Sequence, residues 1–372
     1  MGRSVLFYSD SRVYGGHEIM FFKFLENKRF PHLDIHIIYS ASNEGMKRAV
    51  FKNRELFVTV KTLDFSSCSF NGILNFFRAS FRQQVLKFID EVDPDVVVCL
   101  QGMIELSSMP ILLKKKIRSE LINYIPQVSP LSVTGAVLGG FRDMVNKFYY
   151  RRFDRTITIS KFNSRLCSEL WGVSPSKITV VPNGVELDRC VSVKSEKHRS
   201  SPVRLLNLGR FDFQCKRQDK LIKYFGRYFG GDSRFELHIT GGGGAGVTSQ
   251  LVSLADKYKN IFVNDWVENS LDYISTFDAV IVCSKFEGVP LVALEAMAQG
   301  VSVISSPLDF LEELGDFRGV YLMESWNCLR TVLLEVLKDG DRYSNCLKSA
   351  AKQGYCVKSS SEKFISSLTG DI

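Results

Sequence analysis

Two carboxylates, Glu287 and Glu295, lie eight positions apart around the start of a predicted helix. A strand is expected to end at Cys283, and a helix is predicted to run from about Leu291 to a stop at Gly300. Backbone N–H groups at the start of a helix bind anions. The pair suits a ligand with a sugar at one end, a ribose at the other and a pyrophosphate between them. The alternative is a capping Glu287 and a surface Glu295 on an ordinary helix.

Two cations, Arg210 and Lys216, lie on a loop that is expected at the carboxyl end of another strand. Fixed cations of this kind can clamp a diphosphate and stabilise the charge that develops on it as a leaving group. The alternative is that they are two of the 48 basic residues of the chain on a solvated loop.

Glycines follow two predicted strands. Gly15 and Gly16 open a helix after the first strand, where a substrate can approach the backbone closely, although a plain tight turn fits as well. The run from Gly241 to Gly246 matches the dinucleotide pattern G-x-G-x-x-G. This glycine run follows the second strand of the C-terminal half. Asp265 is the acidic residue that comes nearest to the position that the dinucleotide pattern requires. NAD binding is therefore disfavoured.

The sequence gives little support for a metal site or for disulfide bonds. The nine cysteines are scattered without a CxxC pair, which is typical of free thiols in a reducing cytoplasm. The five histidines have no metal-ligand spacing, and Asp93-Pro-Asp95 is better interpreted as the lead-in to a buried strand than as a metal site. We expect no metal and no cofactor.

The elements that position these residues alternate along 372 residues, a length typical of two domains. Short apolar runs separated by amphipathic stretches indicate βαβ units and parallel sheets. The sequence predicts an α/β fold with two Rossmann-like halves and a ligand site at the carboxyl ends of their strands. The boundaries are an N-terminal domain over 1–190, a polar linker over 191–203, a C-terminal domain over 204–355 and a final segment over 356–372. One helix is expected over 71–91, and strands are predicted over Ser4–Tyr8, Leu33–Tyr39, Asp95–Leu100, Ile122–Ile125, Arg155–Ile159, Ile178–Val181, Arg204–Leu208, Glu236–Thr240, Ile261–Val263, Ala279–Cys283 and Val301–Ile304.

The positive charge is confined to the first half. Residues 1–202 carry 29 Lys and Arg against 19 Asp and Glu, a net charge of +10, whereas the remainder carries −2. No apolar run reaches the roughly 18 residues of a membrane span, and the N-terminus predicts neither a secretory signal nor myristoylation at Gly2. The asymmetry suggests an anionic partner, such as a phospholipid surface, a lipid-linked phosphate or nucleic acid, but a merely solvated basic surface explains it equally well.

One basic stretch of this half alternates with apolar residues at helical spacing. Such a helix can lie on an anionic membrane, or it can turn its apolar side to the core and its charges outward. The apolar positions are Val137, Leu138, Phe141, Val145, Phe148 and Tyr149, and the cations are Arg142, Lys147, Arg151, Arg152 and Arg155; a second basic cluster runs from Lys114 to Arg118.

Five segments, in order, resemble the retaining glycosyltransferases of family 4, which have the GT-B fold. Glu-x7-Glu within EGVPLVALEAMAQG resembles the family signature. The other four are Tyr14-Gly-Gly-His-Glu18, Val180-Val-Pro-Asn-Gly184, Asn207-Leu-Gly-Arg-Phe-Asp-Phe-Gln-Cys-Lys216 and Leu237-His-Ile-Thr-Gly241-Gly-Gly.

The resemblance implies a role for each of these residues. Arg210 and Lys216 hold the diphosphate, Glu287 contacts the donor sugar, and Glu295 binds the ribose. The base pocket lies near Asp265–Val267, with the last helix crossing back to the N-terminal half. The resemblance also implies donor contacts from Gly16, Gly209, Gly241, Val267, Gly288, Val289, Pro290 and Leu291.

The acceptor side departs from the family pattern. Many members carry a histidine after the strand that corresponds to Ile122–Ile125, and here the stretch reads Tyr124-Ile-Pro-Gln127-Val-Ser129. Gln127 can hydrogen-bond a sugar hydroxyl but cannot act as a base.

The resemblance implies a metal-independent hexosyltransferase that moves a sugar from a UDP- or GDP-linked donor to a glycan or lipid-linked acceptor. The expected setting is bacterial surface polysaccharide synthesis (lipopolysaccharide, O-antigen or capsule), in the cytoplasm or on the cytoplasmic face of the inner membrane, without nucleic acid. Two alternatives stay open: a GT-B sugar-nucleotide epimerase, and a catalytically silent sugar-nucleotide-binding subunit.

Overall fold

The computed structural model describes residues 2–26, 32–68, 70–190, 202–314, 319–338 and 354–370. It divides into two compact units. Unit 1 comprises Met1–Asn183 and Val357–Ile372, and unit 2 comprises Gly184–Cys356.

Unit 1 is built on a seven-stranded sheet in which every pairing is parallel, in the order β3-β2-β1-β4-β5-β6-β7. All five residues of β4 are buried, as expected of a strand covered on both faces. The strands are β1 (Arg3–Ser9), β2 (Leu33–Ser40), β3 (Thr59–Leu63), β4 (Val96–Leu100), β5 (Glu120–Tyr124), β6 (Arg155–Thr158) and β7 (Ile178–Val180).

The described helices of unit 1 follow the strands, as right-handed βαβ crossovers require. They are α1 (Gly16–Glu26), α2 (Glu44–Lys52), α3 (Asn71–Leu74), α4 (Ala79–Val92), α5 (Met109–Leu113), α6 (Leu131–Thr134), α7 (Gly139–Arg152) and α8 (Lys161–Glu169), with short 3-10 helices over Arg54–Leu56 and Pro175–Lys177. The C-terminal helix, Val357–Thr369, also belongs to unit 1. Its Phe364 ring packs 5.0 Å from that of Phe24, and the Ser361 hydroxyl donates to the Phe24 carbonyl.

Unit 2 repeats the same plan with six parallel strands in the order β10-β9-β8-β11-β12-β13. In each sheet the order reverses once, between β1 and β4 in unit 1 and between β8 and β11 in unit 2. The strands are β8 (Val203–Leu208), β9 (Phe235–Thr240), β10 (Ile261–Asn264), β11 (Ala279–Val282), β12 (Ser302–Ser305) and β13 (Val320–Leu322).

The described helices of unit 2 are α9 (Gln218–Phe229), α10 (Ala245–Ala255), α11 (Ser270–Ile274), α12 (Leu291–Ala298), α13 (Leu311–Leu314) and α14 (Leu329–Lys338), and the helix Val357–Thr369 is numbered α15. Two 3-10 helices cover Leu187–Arg189 and Trp326–Cys328. The predicted stop of α12 agrees with the left-handed backbone of Gly300, which has φ 68°.

Two edge strands, β3 and β13, are not among the strands predicted from the sequence. The three-residue β13 is too short to carry a periodic signal, and β3 pairs only with β2. Most of the predicted linker, residues 191–201, lies outside the described residues. Val203 already begins β8, and residues 184–190 group with unit 2.

The prediction of one helix over 71–91 is wrong, because the structure breaks it between α3 and α4. Asn71 and Asn75 are fully buried, and their amides turn to the 105–108 loop, where Asn75 donates to the Ser108 hydroxyl at 3.2 Å. Arg78 donates to both asparagine side chains. Asparagine side chains that find partners of this kind compete with a continuous helix.

Helix α7 agrees only in part with the core-facing alternative, because Tyr149 is buried and Val145 packs against the core but a charged residue is buried beside them. Its buried side holds Arg142, Asn146 and Tyr149. Arg142 forms a bidentate ion pair with buried Glu105 at 2.9 and 2.5 Å. The apolar side chains at 137, 138, 141, 144 and 148 are exposed instead.

Candidate functional site

The two loops that follow β8 and β11 lie side by side, because these strands are neighbours where the order of the unit 2 sheet reverses. Ligands of open α/β sheets bind at such switch points. The first loop carries Arg210 and Lys216, and the second carries Glu287. The tertiary structure thus brings together the three residues that the sequence analysis placed in catalysis.

Glycines allow the turn after β8 to approach the turn after β9. Gly209 and Gly241 have φ values of 151° and 154°. A Cβ atom on Gly241 would lie 1.9 Å from the Gly209 carbonyl oxygen. The N–H of Phe211 donates to the Gly242 carbonyl at 2.8 Å. Gly241 therefore has a packing role in addition to any ligand contact.

Asp212 shapes the loop that presents Lys216. Its carboxylate accepts hydrogen bonds from the N–H groups of Gln214 and Cys215, both at 3.0 Å, and lies 3.1 Å from the guanidinium of Arg210. Its carbonyl accepts from the N–H of Lys216 at 2.8 Å. Arg210 is half exposed on this loop, with 55% of its side chain accessible, so it can turn to an anionic ligand.

Lys216 and Glu287 form an ion pair. The ammonium donates to Oε1 of Glu287, and the Ser284 hydroxyl donates to the same oxygen at 2.8 Å. Burial lowers the pKa of Lys216, but the charge and hydrogen bond of Glu287 outweigh it, and the net pKa is raised. Lys216 therefore stays a cation, and Glu287 is held by two donors.

Hydrogen bonds to backbone carbonyls join the two loops. The N–H of Lys285 donates to the Cys215 carbonyl at 2.7 Å, and Arg217 Nε donates to the Cys283 carbonyl at 2.8 Å. The ring of Trp326 lies 5.1 Å below the same guanidinium. Arg217 thus joins the two loops.

Helix α12 begins directly behind Glu287. Pro290 is its N-cap, and the buried Val289 and Pro290 anchor the turn before it. An α-helix leaves its first N–H groups without intrahelical partners. The Gly288–Leu291 segment thus presents the start of an eight-residue helix beside the Lys216–Glu287 pair.

Glu295 lies in the second turn of α12 and is only 5% exposed. Burial is the main cause that raises the pKa of Cys190 to about 11, and the charge of Glu295 adds to it. The carboxylate therefore faces the chain around residue 190. Val267 is half-buried on the loop after β10, next to the largely exposed Trp266.

In unit 1, Gly16 begins α1, as the sequence predicts. Glu18 is fully buried, and its Oε2 accepts the N–H of Gly15 at 2.8 Å. A glutamate three residues after the N-cap, here Gly15, is the carboxylate half of a capping box. The spacing of Gly15 and Glu18 is a sequence signal for this cap.

Gln127 lines a cavity of about 30 Å³ in unit 1, together with Glu105, Asn146 and Trp171. This volume holds about two water molecules. Gln127 is half-buried there, and its contact with an acceptor stays a prediction.

Among the described residues, no three His, Cys, Asp or Glu side chains are grouped as metal ligands. The eight described cysteines are free thiols. No described helix is long and apolar enough to cross a membrane.

Two family models match the chain in succession. Residues 32–189 match the model described as Glycosyltransferase Family 4, and residues 202–339 match the model described as Glycosyl transferases group 1. The chain belongs to glycosyltransferase family 4. The family and the GT-B fold predicted from the sequence are therefore confirmed.

Solved glycosyltransferases share the whole fold. The apo form of the lipopolysaccharide outer core galactosyltransferase WaaB superposes with a TM-score of 0.70 at 17% identity, over all of both chains. HepE from Anabaena, in complex with UDP and glucose, gives a TM-score of 0.77 at 15% identity, over 98% of this chain and 99% of that one.

Curated relatives match over part of their length. An uncharacterized glycosyltransferase of Methanocaldococcus jannaschii is 23% identical over 66% of this chain and 64% of its own length. Glycogen synthase of Mycobacterium tuberculosis is 28% identical over 51% of this chain and 48% of its own length.

Proposed function

We propose that this protein transfers a sugar from a nucleoside-diphosphate sugar to a glycan or lipid-linked acceptor, with retention of anomeric configuration. The observation that carries the proposal is the ion pair between Lys216 and Glu287, with Arg210 on the same loop as Lys216, at the strand ends where the unit 2 sheet reverses. Cations and a carboxylate in this arrangement suit a ligand with phosphates next to sugar hydroxyls.

Each residue has a defined part in this mechanism. Arg210 and Lys216 bind the diphosphate and stabilise its charge as the bond to the sugar breaks. Glu287 is held by Lys216 and Ser284 and accepts hydrogen bonds from hydroxyls of the donor sugar. Glu295 binds the ribose.

Further donor contacts come from the surrounding glycines and loops of unit 2. The backbone of Gly209, Gly241 and 288–291 lies against the donor, and Val267 lines the base pocket. The departing phosphate itself takes the acceptor proton, so the reaction needs neither a metal nor a side-chain base.

The donor is proposed to be UDP-linked, with GDP-linked sugars as the second class. HepE, which shares the fold, is described in complexes with UDP and with UDP-glucose. WaaB, which also shares it, is a lipopolysaccharide outer core galactosyltransferase, and this supports a role in bacterial surface polysaccharide synthesis. We place the protein in the cytoplasm, at the inner face of the inner membrane.

The membrane contact is assigned to α7. The exposed apolar surface formed by α7 and the two residues before it consists of Val137, Leu138, Phe141, Met144 and Phe148. Lys147 and Arg151 are exposed at neighbouring helix positions. Apolar side chains flanked by cations suit the surface of an anionic bilayer.

Two of the cations predicted for this contact do not take part. Arg142 is buried against Glu105, and Arg155 is paired with Glu120. The membrane contact therefore depends on the apolar face together with Lys147 and Arg151.

Calorimetry with UDP-, GDP- and ADP-sugars in metal-free buffer tests the donor assignment. We expect one nucleotide family to bind and the others to bind at least about tenfold more weakly. Binding followed by isomerisation or hydrolysis without an acceptor would indicate an epimerase instead. Binding without turnover on any lipid or glycan acceptor would indicate a silent subunit, and failure of every nucleotide to bind would refute the donor site.

A further inference from the structure

Arg217, the residue directly after Lys216, has a left-handed backbone conformation, with φ 58° and ψ 34°. A residue with a Cβ atom adopts this conformation only at a cost in free energy, whereas glycine adopts it freely. Strained residues persist where surrounding contacts hold them, and they cluster at functional sites. The strain at Arg217 thus lies one residue away from the cation that the site presents to a ligand.

Two contacts of the guanidinium hold Arg217. Its Nε donates a hydrogen bond to the Cys283 carbonyl at 2.8 Å, and its central carbon lies 5.1 Å from the centre of the Trp326 ring. Trp326 follows β13 and stacks in turn on Tyr224 of α9, with 5.3 Å between the ring centres and 15° between the ring planes. The arginine is therefore tied both to the residue after β11 and to the Trp326–Tyr224 stack.

These contacts hold Arg217 without a carboxylate. Within the described ranges of the chain, no Asp or Glu forms an ion pair with its guanidinium, whereas Lys216 is paired with Glu287. A guanidinium that stacks on an indole ring keeps its orientation without an opposite charge. The tether therefore adds no negative charge that would repel a diphosphate beside Lys216.

Cys283 links this tether to Lys216. Its thiol donates to the Lys216 carbonyl, with 3.1 Å between Sγ and the oxygen, while its own carbonyl accepts from Arg217. The N–H groups of Lys216 and Arg217 both donate to the Asp212 carbonyl, at 2.8 and 3.0 Å. Glu287 follows Cys283 on the same loop. The position of Arg217 therefore sets the position of Lys216 relative to Glu287.

We propose that Arg217, held by Trp326, is a positioning residue that directs the ammonium of Lys216 to Glu287 and to the diphosphate. Arg217 acts through the backbone of Lys216 and makes no contact with the ligand itself. The assignment rests on the proposed function, because a nucleoside-diphosphate sugar supplies the diphosphate.

Nitrogen-15 NMR of the lysine ammonium groups tests the geometry in the ligand-free, full-length protein. An ammonium held in an ion pair exchanges its protons slowly enough to give a resolved signal, and the Lys216 signal is assigned by its loss in Lys216→Met. We expect this signal in the wild type and its loss in Arg217→Gly. A signal that persists unchanged in Arg217→Gly, or that is absent from the wild type, would overturn the proposal whether or not any nucleotide binds.

Calorimetry with UDP gives the second readout. Arg217→Gly removes the tether and relieves the backbone strain at once, because glycine adopts φ 58° freely. We expect this variant to remain folded in denaturant unfolding and to bind UDP about five- to tenfold more weakly. Trp326→Leu, which leaves the backbone of residue 217 unchanged, should weaken UDP binding about two- to threefold.

Arg227→Ala is the matched control for these two variants. Its guanidinium lies 5.3 Å from the Tyr224 ring of the same stack, but in the last turn of α9. We expect UDP binding and the Lys216 signal to stay as in the wild type. Wild-type affinity for UDP in both Arg217→Gly and Trp326→Leu would refute the role of Arg217.

A double-mutant cycle distinguishes positioning from direct binding. If Arg217 acts through Lys216, adding Arg217→Gly to Lys216→Met changes the UDP affinity by less than about twofold. Losses that add in the double variant would mean that Arg217 binds the diphosphate itself, and the proposal would be wrong. Absence of any nucleotide binding by the wild type would refute the proposed function, whereas the ammonium signal would still decide the role of Arg217.

Discussion

Lys216 donates a hydrogen bond to Glu287, a residue 71 positions later in the chain. The pair exists because β8 and β11 are neighbours in the unit 2 sheet and because the Lys285 N–H joins the loops that follow them by a hydrogen bond to the Cys215 carbonyl. The fold itself thus holds a cation and a carboxylate next to each other. A preorganised pair of this kind loses little side-chain entropy on binding.

Replacement of Lys216 tests the diphosphate clamp. We expect Lys216→Met to weaken nucleoside-diphosphate binding about 10- to 100-fold, since a hydrogen bond to a charged group contributes about 1.5–3 kcal/mol. Lys220→Met, at an exposed lysine of α9, is the matched control. Calorimetry measures both, and equal affinities would contradict the clamp.

Glu295 is tested with Gln rather than Ala, because the carboxylate is buried and the isosteric change limits unfolding. If Glu295 binds the ribose, Glu295→Gln loses the preference for UDP over its 2′-deoxy analogue, a preference expected to be about tenfold in the wild type. The exposed Glu324→Gln serves as the control. A preference that survives in Glu295→Gln would place the ribose elsewhere.

Gly241 is predicted to be essential for the stability of unit 2. Gly241→Ala places a Cβ atom against the Gly209 carbonyl and strains a residue with φ 154°. The expected cost is about 2–4 kcal/mol of unfolding free energy. Gly242→Ala is the control, because open space surrounds its Cβ position. Denaturant unfolding measures the stability of both variants. Equal unfolding midpoints would contradict the close approach of Gly241 to the Gly209 carbonyl.

The stability of unit 2 is expected to fall as the pH drops below about 6.5, the ordinary pKa of histidine. Burial lowers the pKa of His238, although Glu236 opposes this and Arg204 adds to it. A histidine with a depressed pKa in the folded state contributes stability above the unfolded pKa and loses it as the pH falls. The rings of Phe262 and Phe277 and the amide of Asn264 also face it.

His238→Gln should therefore flatten the change in the denaturation midpoint between about pH 7 and pH 5. His32→Gln, at an exposed site, should leave the wild-type slope unchanged. An identical slope in His238→Gln and the wild type would show that other groups cause the loss of stability in acid.

The membrane contact predicts binding to anionic vesicles. The wild type should cofloat with vesicles that contain phosphatidylglycerol, less so in high salt and not with pure phosphatidylcholine. Phe141→Ser with Met144→Ser should reduce binding at least about tenfold, because each side chain loses apolar burial. Val252→Ser, at an exposed apolar site of α10, is the control. If the double variant floats with the vesicles as well as the wild type does, α7 does not make the membrane contact.

Much of the fold could be predicted from local patterns. Buried parallel strands such as β4 have continuous apolar runs, and glycines mark the turns after β1, β8 and β9. Both are properties of short segments, so they are visible without the partners that the segments meet in space.

The predictions for residues 71–91 and for α7 departed from the structure for the same physical reason. In both segments, buried polar side chains depend on partners that are distant in the sequence. The break after α3 comes from asparagines that bond to the 105–108 loop. The burial of a charged residue on α7 comes from the Arg142–Glu105 pair, whose members are 37 residues apart. Helical periodicity alone predicts that apolar side chains face inward. It carries no information about an arginine whose charge is paired with a glutamate on another part of the chain.

The sequence by itself determined that two α/β halves carry Glu287, Glu295, Arg210 and Lys216 on loops after strands. Only the tertiary structure decided that Lys216 meets Glu287 and that α7 exposes apolar side chains. Strand order is the reason: a chain specifies which residues end each strand, but the neighbours of that strand in the sheet decide which of those residues touch.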